Sequence, residues 1–251
     1  MVDILIPIPK TSLEKLLKPI NRASDSCVLK TNDECLYTVC TSDDKSVIIY
    51  GTCKIPTKVE NLKLNVISIK KLLTGLDCLG DNGEFSMILK KNHLRCQMKS
   101  TCDTDNTFFK YHLVDDGIIT ESSVSIDLIA KLSFDIEFEI SVQKLKQIMS
   151  AYMFVGDAIK IYFYTKDKSV YADIDDKTIS NIDNISFMVS DSFVGLELDR
   201  FVPIKLEVFK NLISSKSPVK VKINKSQGVL ILSTTEHDGV ELKYIVSALV
   251  K

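Results

Sequence analysis

Between residues 134 and 140 apolar and acidic side chains alternate strictly. Phe134, Ile136, Phe138 and Ile140 stand against Asp135, Glu137 and Glu139, the period-2 pattern of a half-buried strand. At Ser141 the period lengthens with no intervening loop, and Val142, Leu145, Ile148, Met149 and Tyr152 recur at helical spacing. Ser141 is placed to cap this helix, because its hydroxyl can accept from an otherwise unpaired first-turn amide. The outward face carries Lys144, Lys146, Gln147 and Ser150, with no acid among them. A strand, a cap and a helix with a cationic back thus form one unit.

Similar units recur along the chain. Residues 2–9 predict a strand, and Thr11-Ser12-Leu13-Glu14 is a T-x-x-E capping box. Leu13, Leu16, Leu17 and Ile20 then form a helical stripe, with Glu14, Lys15, Lys18 and Arg22 facing away and Pro19 expected to kink or shorten the helix. Strands are expected at 26–31, 35–41, 46–53 and 58–65. A second helix is expected over 68–79, capped by Ser68, with Ile69, Leu72, Leu73 and Leu76 inward and Lys70 and Lys71 off that stripe. Gly75 should weaken it by roughly 1 kcal/mol against Ala. Strands at 84–90, 93–99 and 107–114 follow.

Residues 115–133 hold no single period. Their Asp, Gly, Ser and Thr content reads as a connector, although Val124, Ile126, Leu128 and Ile129 are apolar for an idle linker. Beyond it the opening order returns. Strands are expected at 158–165, 169–174, 179–189 and 193–199, then a helix from Pro203 with Ile204, Val208, Phe209, Leu212 and Ile213 inward. Strands at 218–224, 228–234 and 240–249 complete the pattern.

Ile69, Leu72 and Leu76 match Ile204, Val208 and Leu212. Met87-x-Leu89-x-Lys91 matches Val221-x-Ile223-x-Lys225, and Phe109-Lys110-Tyr111 matches Leu242-Lys243-Tyr244. The near-constant offset predicts two copies of an α+β module, two helices lying on antiparallel sheet. The expected domains are 1–116 and 134–251, joined by a connector at 117–133.

Composition narrows the class. At 45% hydrophobic and 26% charged, the chain is globular. No run of about 18 apolar residues predicts a membrane span, and the opening MVDILIPIPK lacks a signal-peptide pattern. The seven cysteines are odd in number and contain no C-x-x-C. They read as free thiols in a reducing, intracellular setting rather than as zinc ligands.

Charge is distributed unevenly. Residues 11–22, 66–79, 141–154 and 203–216 carry +2, +1, +2 and +2, a total of +7 within a chain of net charge −1. The helical stretches are cationic and the remainder acidic. Lysines so placed can meet phosphates without reading bases.

These residues resemble the sliding clamps, the DNA polymerase processivity factors that include proliferating cell nuclear antigen and the tailed-phage clamps. The resemblance spans nearly the whole chain in element order. It is most specific at Leu242-Lys243-Tyr244-Ile245-Val246-Ser247-Ala248-Leu249-Val250-Lys251, with Asp157-Ala158-Ile159-Lys160-Ile161 and Ser215-Lys216-Ser217-Pro218-Val219 also similar. It implies two tandem clamp modules with sheets outside and two helices per domain facing inward, closed as a homotrimeric ring by pairing of edge strands at 107–114 and 179–189. It implies contact with double-stranded DNA through Lys15, Lys18, Arg22, Lys70, Lys71, Lys144, Lys146, Lys205 and Lys210. A partner-peptide pocket would be bordered by Cys40, Leu128, Ile129 and Ala248. The implied partners are a DNA polymerase, a clamp loader and other clamp-binding peptides, with no cofactor, metal or membrane.

An enzyme is not expected. His93, His112 and His237 sit in no catalytic motif, and no Gly-rich phosphate loop, G-x-S-x-G or H-E-x-x-H occurs. The alternatives are a monomeric clamp-like polymerase accessory or late-transcription factor, and a structural scaffold with a duplicated sheet domain. The Lys- and Ile-rich composition points to an AT-rich, viral source.

Overall fold

The structure is a computed structural model describing residues 3–32, 34–99, 106–122, 131–155, 160–175, 183–198, 202–212, 216–235 and 239–247, the side chains of 106, 202, 210 and 211 excepted. The chain forms two compact units. The first comprises Met1–Asp43, Ile49–Ser123 and His237–Leu242, and the second Asp44–Ile48, Val124–Glu236 and Lys243–Lys251.

Unit 1 opens with β1 (Ile4–Ile6) and α1 (Lys10–Asn21). β2 (Cys27–Asn32), β3 (Cys35–Thr41), β4 (Val47–Lys54) and β5 (Lys63–Val66) follow. Then come α2 (Ile69–Cys78), β6 (Glu84–Lys90), β7 (His93–Lys99) and β8 (Asn106–His112). Its strands lie in the orders β1-β6-β7-β8 and β4-β3-β2-β5.

The second half starts with β9 (Ile136–Ile140) and α3 (Val142–Val155). β10 (Lys160–Lys166), β11 (Ser169–Ile174), β12 (Ile185–Ser190), β13 (Val194–Gly195) and β14 (Val202–Lys205) follow. α4 (Glu207–Leu212), β15 (Val219–Asn224), β16 (Val229–Thr235) and β17 (Val240–Ser247) end it. Its orders are β13-β9-β15-β16-β17 and β12-β11-β10-β14. Strand for strand this repeats unit 1. β9 pairs with β15 as β1 pairs with β6, and β14 pairs with β10 as β5 pairs with β2. The short β13 is an addition to the second copy.

The apolar stripes become the core. Leu13, Leu16, Leu17 and Ile20 of α1, and Ile69, Leu72 and Leu76 of α2, are fully buried. A Cβ on Gly51 would lie 2.6 Å from Leu16 Cδ1, so α1 rests directly on β4. In unit 2, Phe209 of α4 lies 6.0 Å from Phe163 of β10, which meets Phe138 of β9 edge-on at 5.5 Å. Such ring pairs add about 0.5–1.5 kcal/mol beyond their buried area.

Three local expectations need correction. The T-x-x-E capping box does not form: α1 begins at Lys10, with extended Pro9 at the N-cap and no side-chain cap bond. The Lys10 ammonium donates to the Gly80 carbonyl and to Asp81, both at 2.6 Å, which holds this earlier start. Second, the helix expected from Pro203 is a strand for its first residues. β14 pairs with β10, Ile204 opposite Ile161, and α4 is six residues long. Proline suits a first helical position but equally an edge strand, where no donor is missed. Third, Ile204 is therefore not the counterpart of Ile69, whereas Val208 and Leu212 are buried as Leu72 and Leu76 are. Pro19 lies inside α1, which ends two residues later, and Arg22 N–H donates to the Pro19 carbonyl at 3.3 Å.

Candidate nucleic-acid interface and partner surfaces

The starts of α2 and α3 are fixed locally. The Ser68 hydroxyl accepts from the Lys71 amide and the Ser141 hydroxyl from the Lys144 amide, both at 3.3 Å. Tyr111 of β8 holds α2 further: its hydroxyl accepts from the Ser68 N–H at 2.9 Å and donates to the Ser68 carbonyl at 3.1 Å. The pairs Lys70–Lys71 and Lys144–Lys146 therefore sit in well-defined first turns.

Lys15, Lys18 and Arg22 are exposed at α1, Lys70 and Lys71 on α2, and Lys146 on α3, while Lys144 is half-buried. α1 packs beside α2 in unit 1, and α3 beside α4 in unit 2. The five cations of unit 1 are thus collected on one helical layer.

The cations differ in how far they are compensated. Lys18 lies 2.8 Å from Glu14. Lys205, expected on a helix, stands on β14, with its ammonium 2.6 Å from Asp44 of the same unit. Among the described residues no carboxylate pairs with Lys70, Lys71, Lys144 or Lys146. Lys210 lies on α4, its side chain outside the described residues. The shorter α4 holds Lys210 against Glu207 and is neutral. The basic-helix pattern therefore rests on α1, α2 and α3, at +2, +1 and +2.

Of the expected peptide-pocket residues, Cys40 lies on β3 at 6% exposure. Its Sγ points to the Ser26 carbonyl at 3.6 Å, and burial pushes its thiol pKa up. Leu128, Ile129 and Ala248 lie outside the described residues.

Sequence reasoning missed the group that holds the stretch after β8. Glu121 takes Lys30 of β2 and, at 2.7 Å, Lys63 of β5. Asp116 takes Lys63 at 3.1 Å and the Asn65 amide at 2.9 Å, and Asn65 also donates to the Val114 carbonyl. Hydrogen bonds from Lys30 and Lys63 hold the Glu121 carboxyl below its usual pKa, and those from Asn65 and Lys63 do the same for Asp116. Hydrogen bonds donated to Glu121 and Asp116 raise that of Lys63. Partners 58 and 91 positions apart leave no local signal in a sequence.

Two strand edges and a helix end also expose apolar surface. β8 ends one strand order and shows Phe108 at 49% exposure; β12 ends another and shows Met188 at 36%. Met153 and Phe154 of α3 are exposed at 79% and 61%. Here a signal existed: Tyr152-Met153-Phe154-Val155 is four apolar positions in a row, which no single helix face can bury. Among the described residues no group of three or more His, Cys, Asp or Glu side chains could hold a metal, and no helix is long and apolar enough to cross a membrane.

No family model matches the sequence, and no curated protein does. Solved structures do match the fold. The chain is similar to PCNA from Thermococcus kodakaraensis at 16% identity and a TM-score of 0.74, covering 98% of this chain and 99% of that one. It is similar to A. fulgidus PCNA, solved with the C-terminal region of FEN-1 bound, at 12% identity and 0.78, covering 100% and 99%. Proliferating Cellular Nuclear Antigen from Entamoeba histolytica matches at 14% and 0.76, covering 99% and 98%.

Proposed function

We infer the function of the chain from its PCNA-like sliding-clamp fold, which runs from end to end in two copies of one module. We propose that it acts as a DNA sliding clamp, a non-enzymatic homotrimeric ring that encircles duplex DNA and tethers a replicative DNA polymerase. The observation carrying this reading is the full-length match of the fold in both directions.

The surface chemistry supports it. Counting the exposed cations of α1 with its C-cap Arg22, and the cations of α2 and α3, against Glu14 and Asp77 gives +5 per chain, so three copies would present about +15 to the phosphates, a diffuse attraction suited to sliding rather than to sequence reading. Lys15, Lys18, Arg22, Lys70, Lys71, Lys144 and Lys146 would carry it. Lys205, bound to Asp44, contributes less. The open edges of β8 and β12 suit strand pairing between copies, and their apolar residues favour a ring over the monomeric accessory. Partner peptides, including those of the polymerase and a clamp loader, would dock along the connector in an intracellular setting. The FEN-1 segment bound to A. fulgidus PCNA is a precedent for peptide docking on this fold.

The test is the solution mass followed by DNA trapping. A trimer that stays on closed circular DNA and runs off linear DNA is expected. A monomer, or equal retention on both, overturns the reading.

A further inference from the structure

Sequence motifs assign no role to the histidines, yet the fold brings two of them together. His93 of β7 and His112 of β8 are register partners. The Leu113 N–H donates to the Asn92 carbonyl at 2.9 Å, which makes 93/112 a non-hydrogen-bonded pair, the closer of the two antiparallel spacings. The ring centroids are 5.5 Å apart and the planes inclined at 42°. His93 Nε2 is buried and, among the described residues, has no hydrogen-bond partner, a condition that buried polar atoms rarely keep.

We propose that His93 and His112 form a two-histidine site for a divalent transition-metal cation of the imidazole-preferring class. With metal–nitrogen bonds of about 2.0–2.1 Å, each ring centroid lies roughly 3.2 Å from the ion, so two adjacent ligands place their centroids about 4.5–5.2 Å apart. The observed 5.5 Å needs only a small turn of the exposed His112 ring. Such a turn would also give the covered His93 nitrogen a partner. The outward side of His112 leaves positions for water.

The surrounding charges set the affinity. Lys90 of β6 faces His93 but is paired with Asp3 at 2.6 Å. Lys110 lies two residues before His112 on the same strand. Burial, His112 and the two lysines lower the pKa of His93, outweighing Asp3. The same lysines repel a cation, so binding should be modest and should select ions that favour nitrogen over oxygen donors.

The test is calorimetric titration of the metal-free full chain with NiCl2, under a non-chelating reductant, for the native protein, His112→Gln and His93→Gln. One ion per chain is expected, with affinity at least about tenfold weaker in either variant, as loss of one of two ligands requires. A rise in Tm with NiCl2 should be seen in the native protein and be absent from His112→Gln, whose exposed site leaves folding intact. Unchanged affinity in both variants would place the ion on cysteines or His237 and overturn the proposal. So would a native chain that takes up no nickel, or an equal Tm rise with MgCl2.

Discussion

Gly75 shows how a single position changes meaning once its neighbours are known. In sequence it is a weak point in a helix, and alanine would be preferred by about 1 kcal/mol. In the folded chain a Cβ there would lie 2.7–3.0 Å from three atoms of the Phe109 ring. The glycine lets α2 settle onto β8. Gly75→Ala is therefore expected to destabilise the protein, since overpacking of about 1–3 kcal/mol outweighs the gain in propensity. Urea unfolding checks it, and a higher midpoint would contradict it. The carboxylates after β8 give a second test. Asp116 and Glu121 have depressed folded pKa values, so their stabilising effect is present above the unfolded carboxylate pKa and is lost as pH falls through the folded values. Lys63, raised above 10.5, adds a contribution that is present below that value and lost as pH rises through its folded pKa. Protection of the amides at residues 113–122, taken relative to their intrinsic exchange rate at each pH, should fall on acidification well before that of the β2–β3 amides. Simultaneous exposure of both would count against the anchor.

At the scale of elements, the caps are the parts most directly written in the sequence. Ser68 and Ser141 each hold the amide three residues on. Ser68→Ala and Ser141→Ala should each cost about 1 kcal/mol, read as a lower urea midpoint with an unchanged slope. Several strands were legible to the residue, namely 35–41, 84–90, 93–99 and 169–174, because each alternates or is bounded by turn residues. The failures have physical causes. Thr11 had the right chemistry for a cap, but Lys10 is fixed by Asp81, 71 positions away. Pro203 fits a helix start and an edge strand equally, and only pairing with β10 decides. Of the candidate interface, the lysine pairs on α2 and α3 were readable from periodicity. The neutralisation of Lys205 by Asp44, 161 residues apart, was not.

For the whole molecule, the proposed ring depends on two strand edges. Phe108 lies outermost on β8, with the Arg95 guanidinium 4.3 Å from its ring centroid. Phe108→Lys would place a second cation against Arg95 and remove exposed apolar surface. It is expected to convert a trimer to monomers while leaving circular dichroism and thermal unfolding of the separated chain cooperative. Sedimentation velocity checks this, and a trimer that persists at micromolar concentration would exclude β8 from the joint. Charge reversal at Lys70, Lys71, Lys144 and Lys146 should do the opposite, preserving the trimer while shortening the products of processive synthesis. Unchanged product length would remove those lysines from the DNA-facing surface.

The Tyr111 hydroxyl engages both backbone groups of Ser68, the residue from which α2 starts. A terminal strand and the first turn of a lysine-bearing helix thus share one fastening. Peeling that strand away from β7 would withdraw the fastening and leave the Ser68 hydroxyl alone to hold the turn that carries Lys70 and Lys71.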